Sequence, residues 1–358
     1  MATSIIYRLS VVLFLFWSHC AICQDTTVMR TQEIEGVSVS FEKEEMIFED
    51  SKSFIVDFYI GEGKKVLLLK QFKKYQLVLL NERLDVLNKI SLDVKPNRIY
   101  EDCLGKLYAV TKDYMCEIVV HNNEVTLSKE SILLDDMSFF EKCVGSNSHH
   151  YLLKSFSSHG KEVTYTSLKK ESDNESIVYK VGDSLQIADV NLEAENIKRE
   201  GYSSKDRMGE ISISDLLEMR DKAERVFYFE TVLEGNEYHP LFMQNDTTYI
   251  FDHLNDWVVR IDSVGNLIDS VPIVHHLNEE WGKELLQDKG RDDFYAANVD
   301  GAKRKYVLLN AHTFLPEREV DLEKNQVLKK VMVYNGYAYY AVRPNFQSNL
   351  NKLYRQRL

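Results

Sequence analysis

The 358-residue chain has little of what staples or punctuates most proteins, with 5 Cys, 5 Pro and 15 Gly. So few cysteines exclude a disulfide-stapled miniprotein, and the scarcity of glycine excludes a collagen-like repeat. A basic excess is missing too. With 44 Lys and Arg against 56 Asp and Glu, the formal charge is −12, so nucleic acid, whose phosphates need a basic face, is not an expected partner. The basic clusters Lys64-Lys65, Lys73-Lys74, Lys169-Lys170 and Lys303-Arg304-Lys305 are short and scattered, and read as solvated hairpin ends. No Gly-x-Ser-x-Gly elbow, His-Glu-x-x-His, phosphate loop or dinucleotide fingerprint occurs. What is abundant is apolar side chains, at 44%, with 20 Tyr and 17 Phe. That content excludes a disordered chain.

The first residues read as a secretory signal peptide, 1–23. Arg8 precedes the apolar run 9–17, and Ala21-Ile22-Cys23 resembles a cleavage site before Gln24. The run is shorter than the ~20 residues a membrane-spanning helix needs, and no later run reaches that length. Lipid anchoring at Cys20 or Cys23 is a secondary alternative, since His19 and Ile22 fit poorly before an acylated cysteine. A soluble exported protein, periplasmic or secreted, is the expectation, as a single domain over 24–358.

A repeat is the informative feature. Ile99-Tyr100-Glu101-Asp102-Cys103-Leu104-Gly105 recurs as Phe139-Phe140-Glu141-Lys142-Cys143-Val144-Gly145. Six β-rich runs begin near Val66, Leu107, Tyr151, Tyr249, Phe294 and Tyr337, at comparable spacing except for one longer gap between Tyr151 and Tyr249. Each leads through a polar break to further short strands, clearest from Thr248 through Trp257 to Val271. About four strands per ~40–45 residues is the pattern of a β-propeller blade. The expected fold is therefore all-β, a six-bladed propeller with about four antiparallel strands per blade. The blades fall at about 51–94, 95–134, 135–182, 236–276, 288–322 and 323–358. The last has three strands, so the alternating run 36–41, with Val37, Val39 and Phe41, is expected to close it. An unclosed ring would expose a sheet edge.

A partly helical insertion, about 183–235, separates blades three and four. In it Ser212-Ile213-Ser214-Asp215 reads as a capping box opening an amphipathic helix. A second helix is expected over 278–287. The run 105–110 (Gly-Lys-Leu-Tyr-Ala-Val) and the unit 249–265 look like blades of NHL-like and TolB-like six-bladed propellers. The signal peptide, the unit count and the Tyr-rich ending resemble a group of exported bacterial propellers of that kind.

Searching for chemistry returns mostly structural explanations. Beyond residue 23 lie Cys103, Cys116 and Cys143, with no Cys-x-x-Cys pair. Cys103 and Cys143 have two readings: a disulfide, which needs Cα atoms within about 7 Å, or the favoured one, separate thiols filling the same pocket of each blade. His149-His150 and His275-His276 read as loop histidines, because neighbours on a strand point to opposite faces and cannot chelate together. Glu279-Glu280 beside Trp281 reads as the acidic first turn of the second helix. No catalytic residue, metal or cofactor is expected. Propeller sites collect around the channel mouth, where Asn97-Arg98, Tyr238-His239 and Lys329-Lys330 lead into first strands, and Arg98 and His239 are the candidate ligand contacts. The expected function is a non-catalytic, monomeric binding or scaffolding propeller of the cell envelope that recognises a protein or glycan. The alternative is a metal-dependent hydrolase or lyase acting on a carbohydrate or lactone.

Overall fold

The computed structural model describes residues 44–134, 140, 142–157, 160–172, 174–203, 238–301, 303–322, 328–342 and 352–358, without the side chains of 197–203 and 329. Its strands form six four-stranded antiparallel sheets, each a blade. The first strand, β1 (Glu45–Phe48), belongs to the last blade. Blade one is β2 (Phe54–Gly61), β3 (Lys64–Gln71), β4 (Lys74–Leu80) and β5 (Val86–Leu92), and blade two is β6 (Arg98–Glu101), β7 (Leu107–Val110), β8 (Tyr114–His121) and β9 (Glu124–Leu133). Blade three is β10 (Cys143–Ser146), β11 (His150–Ser157), β12 (Glu162–Lys169) and β13 (Glu175–Gly182). Blade four is β14 (Leu241–Gln244), β15 (Thr247–Asp252), β16 (Trp257–Ile261) and β17 (Leu267–Pro272). Blade five is β18 (Trp281–Asp288), β19 (Asp293–Asp300), β20 (Lys303–Leu309) and β21 (Pro316–Asp321). Blade six is β22 (Leu328–Tyr334), β23 (Tyr337–Val342) and β24 (Lys352–Arg357), completed by β1 beside β24. The chain is a six-bladed β-propeller.

Turn chemistry explains how so few glycines suffice. Asn122-Asn123, Asn245-Asp246 and Asn335-Gly336 make two-residue hairpins with positive φ at both positions, the conformation that matches strand twist and that Asn, Asp and Gly tolerate. Elsewhere a side-chain oxygen caps the turn. Asp102 Oδ1 accepts from the Leu104 and Lys106 amides, Asn147 Oδ1 from those of His149 and His150, and Asp262 Oδ1 from those of Val264 and Asn266. These are Asx turns, which substitute a side-chain acceptor for a backbone one.

Packing between blades supplies the core. One buried cluster joins Phe58, Leu67 and Leu69 of blade one to Tyr339, Ala341 and Leu353 of blade six. Others join blades one and two, three and four, four and five, and five and six. The cluster of blade two formed by Tyr108, Val110 and Met115 takes in Phe140 but no strand residue of blade three. At that junction the structure places a disulfide, Cys103–Cys143, with Cα atoms 5.7 Å apart. This corrects the expectation of separate thiols. Asp102 opens the turn of blade two and Asn147 that of blade three, so the two cysteines occupy different places in their blades, and that offset lets them meet. Cys116 is the free, buried thiol.

Two further expectations change. The closing strand is β1, pairing Glu45 with Arg355 and Met46 with Tyr354; the run 36–41 lies outside the described residues. Arg355 clasps Glu45 by an ion pair of 2.6 Å, and Tyr340 donates to Glu44 at 2.7 Å. The segment expected as a helix over 278–287 is instead a turn leading into β18. Its pairing runs Trp281 with Asn298 and then Leu285 with Ala296, so Gly282, Lys283 and Glu284 form a bulge that hides the two-residue period. Glu279 and Glu280 therefore sit in a turn, not at a helix N-terminus.

Between blades three and four lies α1 (Ser184–Ser203). Asp183 caps it, accepting from the Leu185 amide at 2.8 Å and the Gln186 amide at 3.3 Å, the bond that satisfies amides left over in a first turn. Val190 and Ala194 form its buried face. The capping box at 212–215 lies outside the described residues.

Candidate functional site

In an up-and-down blade, the starts of first strands and the ends of second strands lie on one face. That geometry gathers residues far apart in sequence. Tyr238 and His239 enter β14, His253 and Leu254 leave β15, Trp281 opens β18, and Asp183 leaves β13. With Lys161, Gln186 and Lys283 they line a cleft of about 250 Å³.

Its wall is aromatic. Tyr238 stacks on His253 with centroids 5.7 Å apart, and Trp281 packs against His253 at 5.5 Å and Tyr238 at 6.3 Å. The Tyr238 hydroxyl accepts from the Leu285 amide at 2.7 Å, which ties the wall to the bulge of β18. Burial pushes the Tyr238 hydroxyl up to about 12. The rim is polar, with Lys283 exposed and Asp183 committed to the helix cap.

Behind the wall are three histidines. His275 and His276 lie on a 3-10 turn (His275–Leu277), where the alternation of a strand does not apply. One ring nitrogen from each of His253, His275 and His276 lies within 4.8 Å of the others. His275 and His276 are loop histidines, as expected, but on a 3-10 turn instead of a strand, and the turn brings one nitrogen of each near one of His253. His253 Nδ1 faces the Tyr238 carbonyl at 2.8 Å, His253 Nε2 lies 3.2 Å from His275 Nε2, and His276 Nε2 lies 2.8 Å from Asp256 Oδ1. Burial holds His253 down to about 4 and His275 to about 3, with the neighbouring histidines adding to the shift. Both rings are neutral near pH 7.

The two sequence-derived contacts separate. His239 lines the cleft, but its ring is only 4% exposed and accepts the His253 amide on Nδ1 at 3.2 Å. Its carbonyl takes the Lys154 ammonium at 2.8 Å and the Tyr165 hydroxyl. His239 thus holds the loop that carries His253. Arg98 begins the inner strand of blade two, exposed, with its guanidinium 5.9 Å from the Tyr100 ring centroid; it does not line this cleft. Lys330 is also structural. It bridges to Asp57 Oδ1 at 2.9 Å and the Phe58 carbonyl at 2.8 Å, while Asp57 Oδ2 accepts the Ile99 amide at 2.7 Å. Blades six, one and two are joined there. His149 is an exposed loop residue, and His150 Nδ1 meets the Ser263 carbonyl at 3.1 Å.

Sequence reasoning missed His253 and Trp281 as partners. The signal was present in the topology, because the polar break after a second strand and the approach to the next first strand share a face.

No family model matches the chain, and no curated protein matches it. Solved structures with a similar fold include a catalytically inactive virginiamycin B lyase from Staphylococcus aureus in complex with quinupristin, 9% identical with a TM-score of 0.34 over 87% of each chain. Another is Sqt1 from Saccharomyces cerevisiae, 8% identical, TM-score 0.35, over 82% of each chain. A third is a member of the DUF4221 family from Bacteroides vulgatus, 10% identical, TM-score 0.40, covering 88% of this chain and 96% of that one.

Proposed function

We propose that the protein is a glycan-binding propeller of the cell envelope, with its site in the cleft between blades three, four and five. The observation that carries this reading is the Tyr238–His253–Trp281 wall beneath a polar rim. An aromatic face packs against the C–H face of a sugar ring while amines and amides at the rim meet its hydroxyls. Lys283 on the rim favours a glycan with an acidic substituent. Export by residues 1–23, a monomeric state and kinship with NHL-like or TolB-like propellers belong to the same reading.

Binding is preferred over hydrolysis because the carboxylates near the cleft are engaged. Asp183 caps α1 and Asp256 meets His276, so among the described residues lining the cleft no pair of free carboxylates converges on one bond as glycoside hydrolysis requires. The test is an envelope-glycan array probed with the mature protein and with Trp281→Ala and Tyr238→Ala. A glycan hit that weakens about ten-fold or more in Trp281→Ala supports the reading, since aromatic contacts contribute about 0.5–1.5 kcal/mol beyond their buried area. Binding that ignores both substitutions, or an array without hits, rejects it.

A further inference from the structure

A ring nitrogen near the cleft is unpaired in a way ordinary packing does not explain. His276 Nδ1 is buried from solvent and has no hydrogen-bond partner. Buried polar atoms are nearly always paired, and each exception asks for a reason.

Tracing the protons shows what the cluster offers. His253 donates its Nδ1 proton to the Tyr238 carbonyl, so its Nε2 carries a lone pair. His276 donates from Nε2 to Asp256, so its Nδ1 carries one too. His275 Nε2 lies 3.2 Å from His253 Nε2. That separation is close to the ~3.3 Å between two imidazole nitrogens that share a tetrahedral zinc at about 2.0–2.1 Å each. The outer contacts are of the kind that ligating histidines use: a ring N–H directed to a backbone carbonyl for His253, and to a carboxylate for His276. Each fixes the tautomer and leaves a lone pair on the ring's other nitrogen.

We propose that His253, His275 and His276 form a binding site for a zinc-class divalent cation beside the cleft, with a fourth coordination position open. Imidazole ligands suit zinc, and also nickel and copper, better than magnesium or calcium, which take oxygen ligands. His253 lines the cleft beside Trp281, so a cation held on its ring would lie next to the cleft wall. Three imidazole ligands leave a fourth position of a tetrahedral zinc for water or a bound group. The site does not depend on glycan recognition, and it stands or falls by metal binding alone.

The test uses the mature protein, stripped with chelator and titrated with zinc by calorimetry, then with cobalt for its visible absorption. One equivalent of zinc and a tetrahedral cobalt spectrum are expected. His253→Ala and His276→Ala, checked for folding by circular dichroism, should abolish both signals. Asp256→Asn, which leaves all three ligands in place, should weaken binding about ten- to a hundred-fold, and it keeps the test decisive if the alanine variants do not fold. Absence of stoichiometric binding, or binding unchanged in Asp256→Asn and in the folded alanine variants, overturns the proposal. Zinc binding with no array hit would retain the metal site and reject the glycan reading, and the reverse outcome would do the opposite.

Discussion

The Cys103–Cys143 bond crosses the blade junction where no buried apolar cluster joins strands of both sheets among the described residues. Replacing both cysteines with serine should therefore be costly. The bond spans 40 positions, and closing a loop of that length removes about 4 kcal/mol of chain entropy from the unfolded state. Whole domains are stable by only about 5–15 kcal/mol. Urea unfolding of the oxidised protein and of the double serine variant should differ by about 4 kcal/mol. Hydrogen exchange should accelerate first at β6, β7 and β10, not in blades five and six, whose interface is closed by Tyr295, Tyr306 and Tyr340. Thiol titration of the unfolded, unreduced chain 24–358 should find one reactive group, Cys116. A difference under about 1 kcal/mol, or three reactive thiols, would refute the argument.

Other perturbations follow from single contacts. Asp57→Ala leaves the Lys330 ammonium short of its carboxylate and the Ile99 amide without its acceptor. It should cost about 2–3 kcal/mol in denaturant unfolding, and a change under half of that would contradict the strut assigned to it. Tyr295 is buried, and burial with Asp293 and Asp288 nearby pushes its hydroxyl from 10 up to about 12. The unfolded chain loses that proton first, so the stability it contributes is intact below pH 10 and disappears as pH rises to about 12, roughly 3 kcal/mol in all. Lys154, held down to about 8 by burial, acts with the opposite sign between about 8 and 10.5, so the decline is read above pH 10.5. Stability that stays level there, or a tyrosinate absorbance change lost in Tyr295→Phe with its midpoint near pH 10, would count against it.

The architecture was legible because a blade repeats local chemistry. Runs such as Val66-Leu67-Leu68-Leu69 and Tyr249-Ile250-Phe251 are buried strands, and the Asn and Asp between runs are the turns. Legibility failed where one residue type serves two ends. Gly282 and the positive φ of Lys283 break the alternation of β18, so Trp281 looked like part of a helix. Alternation in the run 36–41 drew the closing strand away from Glu45–Phe48, where the ion pair to Arg355 is a contact between chain ends. The candidate site was the least legible part. Arg98 and His239 stood at first-strand entrances as expected, yet only His239 reached the cleft, and there as a support. His253 is 22 residues from His275, and the up-and-down strand order of blade four, which puts the ends of β15 and β17 on one face, brings the two together.

The claim at the centre of this account is that the cleft of Tyr238, His253 and Trp281 is where the protein meets its ligand. Trp257 and Trp281 are the tryptophans beyond residue 23, so a Trp257→Phe protein of residues 24–358 carries its tryptophan fluorescence at the cleft alone. Titrating that protein with the envelope glycans and with zinc should give a saturable change in Trp281 emission. Binding seen by calorimetry with Trp281 emission unmoved would contradict the account.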